Sequence, residues 1–470
     1  MVHQYKNNGY NIVIDVNSGS IHSVDDLTYD LLPIVEEYIE NHKIAQGGQY
    51  DINEITDVIL KKIAADREEI YEIVSELLEL RDNGSLFADD IYENYLVDFK
   101  KRKTVVKALC LHIAHDCNLG CKYCFAEEGE YHGRRALMSL EVGKKALDFL
   151  VASSGSRRNL EVDFFGGEPL MNWNVVKELV EYGRSLEEPN NKKFRFTLTT
   201  NGTLLNDEIL EFANREMANI VLSIDGRKEI NDLMRPFRGG KKTSAYDIIV
   251  PKYKKVAESR NQTNYYVRGT YTRNNLDFSR DVLHLADLGF KQISVEPVVA
   301  KPEDDYSIKD EDIDTLKNEY DILAKEMLKR KKEGRAFNFF HFMIDLEGGP
   351  CVAKRLSGCG SGTEYLAVTP WGDLYPCHQF VGNEDFLLGN VDEGIVKTGI
   401  CNEFKCCNVY AKEKCRKCFA KFYCSGGCAA NSYNFKGNIL DTYDVGCELQ
   451  KKRIECAIML KIAESDNTKE

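Results

Sequence analysis

The chain is organised around the stretch Cys117-Asn118-Leu119-Gly120-Cys121-Lys122-Tyr123-Cys124. Its three thiols form a Cys-x3-Cys-x2-Cys run in a single short loop. A 4Fe–4S cluster ordinarily takes four thiolates, so three thiols in one loop leave one iron without a protein ligand. An iron with an open position can bind and reduce a cofactor. A zinc loop, or a set of buried thiols, is the alternative interpretation of the same run.

The composition is that of a large acidic protein. A length of 470 residues predicts two to four domains or subdomains, and 43% hydrophobic residues suffice for a buried core. The net charge of −13 argues against a general nucleic-acid role. The first residues lack the basic and then apolar pattern of a signal peptide, and no stretch is apolar for long enough to span a membrane. We therefore expect a cytoplasmic protein.

The 16 cysteines fall into two regions with a thiol-free stretch between them. Four lie between residues 110 and 124, and the other twelve follow residue 350. Disulfides are rare in a reducing compartment, so this abundance favours metal binding or catalysis. Cys110, seven residues before the loop, is predicted to be a small apolar core thiol.

Between about residues 106 and 300, short apolar strands alternate with helical stretches, which predicts βα units and a parallel sheet. The predicted strands are residues 108–114, 160–165, 194–198, 220–224, 265–271 and 292–295. Parallel barrels place their chemistry in the loops that follow the strands. The cysteine loop follows the first predicted strand directly. The predicted fold class is therefore α/β.

Further candidate residues follow the next strands. The second strand is followed by Gly166-Gly167-Glu168-Pro169, where the glycines let the backbone approach a ligand and the carboxylate can accept hydrogen bonds from an ammonium. The third is followed by Thr200-Asn201-Gly202, and the fourth by Ser223-Ile224-Asp225-Gly226. Each motif alone is better explained as a loop turn. Their order, each after a strand and downstream of the cysteine loop, makes them informative together.

The cysteine loop, with an aromatic residue before its last thiol, and these motifs resemble the signature of the radical S-adenosylmethionine (SAM) enzymes. The resemblance implies a partial (β/α)6 barrel over residues 106–300, with a catalytic 4Fe–4S cluster on Cys117, Cys121 and Cys124. It implies that the open iron chelates SAM, which an electron cleaves to a 5′-deoxyadenosyl radical. The implied SAM contacts are Tyr123, Gly166, Gly167, Glu168, Thr200, Asn201, Ser223, Asp225, Arg235 and Val295.

Individual roles follow from the same resemblance. Glu168 is expected to hold the SAM amino group, and Arg235 to pair with the carboxylate. Ser223 and Asp225 are expected near the ribose or the methionyl part, and the backbone at Val295 near the adenine. Residues 301–345 are predicted to be a helical connection, with a long solvated helix over 301–332.

The cysteines of residues 346–470 resemble the seven-cysteine SPASM extension of radical SAM enzymes, which holds two auxiliary 4Fe–4S clusters. The resemblance assigns an outer cluster to Cys415, Cys418, Cys424 and Cys447. It assigns an inner cluster to Cys359, Cys377 and Cys428. The fourth inner position belongs to Cys351, or stays open for a substrate thiolate. A zinc ribbon is the alternative for Cys415-x2-Cys418. Outside the pattern, His378 is predicted to be structural, and no role is assigned to Cys401, Cys406, Cys407 or Cys456.

The first 88 residues contain no cysteine and are predicted to form a separate domain. A β-hairpin over residues 11–16 and 21–24 is followed by three amphipathic helices, as in a winged-helix module. The module resembles the peptide-recognition domain of enzymes that modify ribosomally made peptides, which binds a leader peptide as an added strand. DNA binding is the alternative, but the third helix is too acidic to favour phosphate. Residues 89–105, with the basic run 100–103, form a linker or bridging region.

The sequence of residues 114–133, AHDCNLGCKYCFAEEGEYHG, resembles that of the maturases of six-cysteine (SCIFF) peptides. Those oxidoreductases join a peptide cysteine sulfur to the α-carbon of another residue. The resemblance implies SAM and three 4Fe–4S clusters as cofactors. It implies a precursor peptide and an electron donor such as flavodoxin or ferredoxin as partners, with no nucleic acid and no membrane.

Two other classes of function remain open. A sulfatase-type maturase, which oxidises a serine or cysteine to formylglycine, shares the barrel and both auxiliary clusters. Another crosslinking enzyme or a peptide epimerase is a further alternative. A non-enzyme interpretation, such as an electron carrier or a zinc scaffold, leaves the SAM-like motifs unexplained.

Overall fold

The computed structural model describes residues 1–42, 48, 50–94, 105–127, 129–131, 133, 135–240, 242–346 and 352–466. The chain begins with a three-stranded antiparallel sheet in the order β1-β2-β3, followed by three helices. The strands are β1 (Val2–Asn7), β2 (Tyr10–Asp15) and β3 (Ile21–Val24). The helices are α1 (Asp26–Asn41), α2 (Ile52–Leu60) and α3 (Arg67–Asp82).

An aspartate caps each of these helices. The side chains of Asp25, Asp51 and Asp66 accept backbone N–H groups of the first turns of α1, α2 and α3. The hairpin and the three helices lie where the sequence predicts them. The strand β1, which the sequence prediction missed, pairs with β2 along its whole length.

Six parallel strands in chain order form the centre of the protein. This region comprises β4 (Ala108–His115), β5 (Ala136–Leu137), α4 (Leu140–Ser153), β6 (Asn159–Gly166), α5 (Trp173–Asn190), β7 (Lys193–Thr200), α6 (Asp207–Glu216), β8 (Met217–Ser223), α7 (Lys228–Met234), α8 (Ala245–Ser259), β9 (Tyr265–Tyr271), α9 (Phe278–Asp287) and β10 (Gln292–Pro297). The six predicted strands are confirmed as β4, β6, β7, β8, β9 and β10. The first and last of them do not pair with each other, so the barrel is partial.

The faces of these strands differ in polarity. On β6, Leu160, Val162 and Phe164 are fully buried in the core that the helices cover, while Asp163 and Phe165 point to the inner side. The same alternation on β9 buries Val267 and leaves Arg268 on the inner side. Side chains of the inner face are therefore available to a ligand in the barrel.

The remaining chain contains α10 (Ile313–Lys332), β11 (Asn338–Phe339), α11 (Val352–Ser357), β12 (Tyr365–Val368), β13 (Asp373–Tyr375), β14 (Gly389–Asn390), β15 (Gly394–Ile395), α12 (Thr398–Cys406), α13 (Glu413–Arg416), α14 (Lys421–Cys424), α15 (Ala429–Lys436) and α16 (Asp444–Asp466). Strand β11 extends the sheet beside β10. Strand β12 pairs in parallel with β4, opposite Cys110, and joins the cysteine-rich region to the central sheet.

The prediction of one long solvated helix over residues 301–332 is wrong in two respects. The helix α10 begins only at Ile313, after a short 3-10 turn. One of its faces is buried, because Leu316, Tyr320 and Leu323 lie in the core and α10 packs along α16. The high density of charge hid an apolar stripe with helical spacing.

The N-terminal sheet rests on the body of the protein through the face that its own helices do not cover. Tyr5 donates a hydrogen bond from its hydroxyl to the backbone oxygen of Glu455, at 2.9 Å. The ring of His3 stacks on Phe419, with 3.5 Å between the ring centroids. Val13, on the opposite face of the sheet, belongs instead to the core of α1, α2 and α3. No helix in the described part of the chain is long and apolar enough to cross a bilayer.

Candidate functional site

The cysteine loop follows β4 and is bonded to the segment after α7. Gly120 donates its N–H to the backbone oxygen of Pro236 at 2.8 Å, and Lys122 to that of Met234 at 2.9 Å. The carboxylate of Asp116 accepts the N–H of Cys117 at 2.9 Å and the guanidinium of Arg238 at 2.8 Å. Both ends of the loop are thus fixed by hydrogen bonds.

The three thiols of the loop lie close together and are free. Burial, together with the charges of Glu168 and the two neighbouring thiols, raises the pKa of Cys117 to about 12. Burial also raises the pKa of Cys121 to about 11. Thiols this reluctant to ionise become thiolates when a cation compensates their charge.

Two glycines bring the end of β6 against the start of the cysteine loop. A Cβ atom at Gly167 would lie 2.1 Å from the backbone oxygen of Asp116. At Gly166, whose φ of +115° itself favours glycine, a Cβ atom would lie 2.3 Å from the oxygen of Ala114. The N–H of Gly167 donates to that same oxygen at 2.7 Å. These positions therefore admit no side chain.

Glu168 is completely buried and links three of the predicted motifs. Its carboxylate accepts the Thr200 hydroxyl at 2.7 Å and the N–H of Asn201, also at 2.7 Å. The side chain of Asn201 in turn lies 3.6 Å from the sulfur of Cys117. Burial raises the pKa of Glu168, although these hydrogen bonds act in the opposite direction and lower it. A carboxylate has about four acceptor positions, so it can still accept a ligand ammonium.

A second buried group joins Tyr123 of the cysteine loop to the ends of later strands. The Tyr123 hydroxyl donates to the carboxylate of Asp225 at 2.7 Å and accepts from the guanidinium of Arg235 at 2.8 Å. Arg235 and Asp225 are themselves 3.7 Å apart. Asp225 also accepts the N–H of Thr270 at 3.0 Å. The guanidinium expected to pair with a ligand carboxylate is thus already positioned by a phenol and a carboxylate.

Ser223 and Val295, two further residues expected to contact SAM, lie outside the two hydrogen-bonded groups described above. The backbone oxygen of Ser223 accepts the hydroxyl of Tyr253 at 3.1 Å. The Val295 side chain is fully buried, and its strand, β10, lies four places along the sheet from β6. The other predicted SAM contacts meet at the cysteine loop.

The donor chemistry of the loop fits an iron–sulfur cluster. In the described part of the chain, no three His, Cys, Asp or Glu side chains converge on a point where a single ion would sit. The ligands of one zinc ion must converge in that way, whereas the thiolates of a 4Fe–4S cluster bind separate irons. Three clustered thiols on a rigid loop, beside a buried carboxylate and guanidinium, are suited to such a cluster with an amino-acid ligand.

The structure also brings the later cysteines together in two sets. The outer set comprises Cys415, Cys418, Cys424 and Cys447. Burial, together with the charges of other thiols, raises the pKa of Cys415, Cys424 and Cys447 to about 11 each. The inner set comprises Cys359, Cys377 and Cys428, where burial and the charges of the other two thiols together raise the pKa of Cys377 to about 12. Cys351 and the basic run 100–103 lie outside the described residues.

Several polar residues of the barrel were not predicted from the sequence. Arg268 pairs with Glu296 at 3.0 Å on the inner side of neighbouring strands. Burial opposes ionisation of Glu296, but Arg268, His341 and Arg453 outweigh it and hold its pKa at about 2. On β6, burial raises the pKa of Asp163 to about 7, against a hydrogen bond from Thr199. These charged residues alternate with core residues along their strands. The sequence did not single them out, because the same alternation is equally typical of a strand with one solvent-exposed face.

His378 and Cys110 lie between the barrel and the inner set. The His378 ring is 5.1 Å from that of Phe165 and 5.5 Å from that of Phe125, next to Cys124. Its Nδ1 lies 3.2 Å from the hydroxyl of Tyr365. Cys110 is fully buried, as expected for a core thiol.

Comparison with known proteins agrees with this geometry. Residues 111–257 match the family model of the Radical SAM superfamily. The chain is 22% identical to the radical SAM cyclopropyl synthase TigE of Paramaledivibacter caminithermalis, over 84% of each chain. It is 26% identical to a cysteine-type anaerobic sulfatase-maturating enzyme of Clostridium perfringens, over 66% of this chain and 85% of the relative.

Among solved structures, native anSMEcpe with bound AdoMet and the Kp18Cys peptide superposes with a TM-score of 0.62. The sequences are 21% identical, and the match covers 76% of this chain and 99% of the other. The fold is therefore the α/β radical SAM fold.

Proposed function

We propose that this protein is a radical SAM enzyme that joins a cysteine sulfur to the α-carbon of another residue in a ribosomally made, Cys-rich peptide. A sulfatase-type maturase would share the SAM-type cysteine loop and the two further thiol sets, so the observation that carries the proposal is the N-terminal sheet with its edge strand β3, which suits a leader peptide. Forming the thioether removes two electrons from the peptide, of which hydrogen abstraction accounts for one. Iron–sulfur clusters span roughly −700 to +450 mV, so an auxiliary cluster is a suitable acceptor for the other.

The residues of the chain would hold the cofactors as follows. Cys117, Cys121 and Cys124 bind the catalytic cluster, and Glu168 and Arg235 orient the amino and carboxylate groups of SAM. When bound, the cluster and SAM together supply the 5′-deoxyadenosyl radical that abstracts hydrogen from the peptide. The protein contributes position and exclusion of competing reactants. The inner and outer sets bind the two auxiliary clusters, and a flavodoxin or ferredoxin supplies electrons.

The charged residues on the inner side of the barrel suit a peptide substrate. Arg268 and Glu296 are ionised and pair with each other, so they offer both a donor and an acceptor to a peptide backbone. Asp163 lies on the same side and is within electrostatic reach of Arg268.

The N-terminal sheet supports a leader peptide as the means of substrate recognition. Strand β3 is at the edge of its sheet. The bond from the Asp15 N–H to the oxygen of Ser20 sets the alternation of the hairpin, so the peptide groups of Ile21 and Ser23 point away from β2. An extended peptide can pair with such an edge. The exposed acidic side chains of α3, among them Glu68, Glu69 and Glu72, disfavour DNA.

Replacing Ser23 by proline tests this role of the edge. Proline removes the outward N–H without removing a bond to β2, so we expect a leader-bearing peptide to bind at least about tenfold more weakly. SAM cleavage without peptide stays unchanged. Peptide affinity by fluorescence anisotropy is the measurement.

Ser23→Ala is the matched control, because it removes the exposed hydroxyl and keeps the N–H. We expect it to bind the peptide as the wild type does. Equal affinity of all three proteins would mean that the leader does not pair with β3.

The reaction itself is tested by mass spectrometry of the product. The reconstituted protein is incubated with SAM, dithionite and a Cys-rich precursor peptide. We expect stoichiometric 5′-deoxyadenosine and a peptide that has lost two hydrogen atoms and one free thiol, with the crosslink located by fragmentation. A fully loaded protein that forms no 5′-deoxyadenosine would disprove the enzyme assignment.

A second candidate function is formylglycine formation, as in a sulfatase-type maturase. The similarity to the Clostridium perfringens enzyme favours it. The same experiment separates the two reactions, because formylglycine formation puts an aldehyde in place of the target side chain and creates no link between residues.

A further inference from the structure

Asp163 is a half-buried carboxylate on the inner side of the barrel. It lies on β6 between Val162 and Phe164, which point the other way and are buried in the core. In the parallel pairing of the strands, it is opposite Cys110 of β4 on one side and Thr197 of β7 on the other. Asp163 is also three residues before the Gly166-Gly167-Glu168 motif. The carboxylate therefore faces the inside of the barrel near the strand ends where SAM is expected to bind.

This carboxylate has few partners of its own. Its Oδ1 accepts the hydroxyl of Thr199 at 3.2 Å, and within the described ranges of the chain no other hydrogen bond and no ion pair reaches it. The nearby Glu168, by contrast, accepts three hydrogen bonds. A carboxylate has about four acceptor positions, so most of those of Asp163 are available to a ligand in the barrel.

The groups that face Asp163 leave it with a high affinity for a proton. Burial raises the pKa of Asp163 to about 7, although the Thr199 hydrogen bond and the charge of Arg268 on β9 both lower it. Three further titratable groups face it from other elements, and its charge raises their pKa values: Cys110 of β4, Tyr365 of β12, and Tyr131. A carboxylate with a pKa near the working pH is suited to accept a proton during a reaction.

The proposed reaction needs such a proton acceptor. The cysteine of the peptide enters as a thiol and ends as a thioether, so the proton of its S–H group must be taken up by a base. Glu296, the other carboxylate described on the inner side, is a weak base, because neighbouring positive charges, Arg268 first, outweigh burial and hold its pKa at about 2. A thiol with a pKa of about 8.5 gives up its proton more readily to Asp163.

We propose that Asp163 accepts the proton of the substrate cysteine as its sulfur forms the thioether, with Thr199 as the residue that positions the carboxylate. The inference rests on the proposed function, because that function supplies the thiol. One S–H bond and one Cα–H bond break, and one S–Cα bond forms. The proton goes to the carboxylate of Asp163, the hydrogen atom to the 5′-deoxyadenosyl radical, and the remaining electron to an oxidised auxiliary 4Fe–4S cluster. Asp163 then releases its proton to solvent.

The test measures coupling, which is the number of thioethers formed per 5′-deoxyadenosine. The reconstituted full-length protein is incubated with SAM, dithionite and a synthetic Cys-rich precursor peptide from about pH 6 to about pH 9. We expect coupling in the wild type to rise with pH around a midpoint of about 7, where Asp163 ionises.

In Asp163→Asn we expect coupling to fall at least about tenfold at neutral pH, because the amide cannot accept the proton. Coupling should recover only near about pH 8.5, where the peptide thiol ionises unaided. Hydrogen abstraction, followed as deuterium transfer to 5′-deoxyadenosine from a peptide deuterated at its α-carbons, should continue.

Two further variants and a second peptide make the result specific. Glu161→Gln is the matched control on the same strand, because Glu161 is exposed and pairs with Arg195 at 3.4 Å; it should keep the wild-type coupling and pH profile. Thr199→Val keeps the carboxylate but removes the hydrogen bond that lowers its pKa, so the midpoint should move to higher pH even if Asp163→Asn folds poorly. A peptide with selenocysteine in place of cysteine should restore coupling in Asp163→Asn, because a selenol is a stronger acid than a thiol.

Infrared difference spectra provide a readout that is independent of turnover. They are recorded on the reconstituted protein without SAM or peptide, between about pH 5 and about pH 9. The wild type should lose a carboxylic C=O band with a midpoint of about 7, and Asp163→Asn should lack this band. In Thr199→Val the midpoint should be higher.

Two results would overturn this role of Asp163 alone. One is wild-type coupling and an unchanged pH profile in Asp163→Asn. The other is a loss of coupling that the selenocysteine peptide does not restore, which would show that the carboxylate only maintains the structure of the barrel. A wild-type protein that forms 5′-deoxyadenosine but no thioether would instead overturn the proposed function, and this role with it, so the two failures are distinguished.

Discussion

We expect the replacement of Cys117, Cys121 and Cys124 together by alanine to abolish 5′-deoxyadenosine formation and to lower the iron content from about twelve to about eight atoms per chain. The three thiols are the only cysteines of their loop, so no other thiolate of the loop can take their place. The loss is complete because no SAM cleavage takes place without the cluster. Iron and sulfide analysis, EPR and chromatography of the nucleoside measure it.

Cys406→Ala is the control for this experiment, since Cys406 is neither in the loop nor in the inner or outer set. It should keep all the iron and the full rate of cleavage. Wild-type protein with only about four irons, and zinc in the remaining sites, would contradict the expectation of three clusters. The electron path proposed above would then have to be rebuilt around one cluster.

A single methyl group at Gly167 should be almost as damaging. Its Cβ atom would overlap the backbone oxygen of Asp116 at 2.1 Å, and neither backbone can rotate away as a side chain can. The cysteine loop must shift to remove the overlap. A displacement of about 1 Å at reacting groups costs roughly a hundredfold in rate, so we expect SAM cleavage by Gly167→Ala to fall by at least that factor.

The matched control is Gly399→Ala in α12. A Cβ atom at Gly399 meets nothing within 4 Å, and alanine is the better helix former. This variant should cleave SAM as the wild type does and unfold at the same or a higher temperature. If Gly167→Ala also cleaves SAM normally, while its circular dichroism is unchanged, the close approach of the two loops is not needed for cleavage.

The parts of the fold that the sequence predicts well are those with a local signal. The strands of the barrel are apolar runs bounded by polar turns, and the motifs at Gly166, Thr200 and Asp225 follow them at once. The strand β1 was missed because Val2 and Tyr5 do not alternate regularly with the polar residues between them. It is a strand because β2 offers it an edge and α16 covers it, and α16 is remote in sequence.

The candidate site shows the same limit. Three thiols within one loop can be recognised from spacing alone, but the joining of Tyr123 to Asp225 spans 102 residues. Arg268 and Glu296 are paired only because β9 and β10 are neighbours.

The packing of β1 on α16 has a consequence for how the chain is made. Tyr5 and Glu455 are separated by 450 residues, and a ribosome adding 5 to 20 residues per second needs roughly 20 to 90 s to cover that distance. Until then the face of the first sheet that carries Tyr5, Ile12 and Ile14 has no partner from the last helix and stays open to water. The nascent protein therefore exposes an apolar surface, which can associate with other apolar surfaces, throughout most of its synthesis. That surface is where a chaperone would be expected to bind, and where an interrupted or truncated translation product would be expected to aggregate.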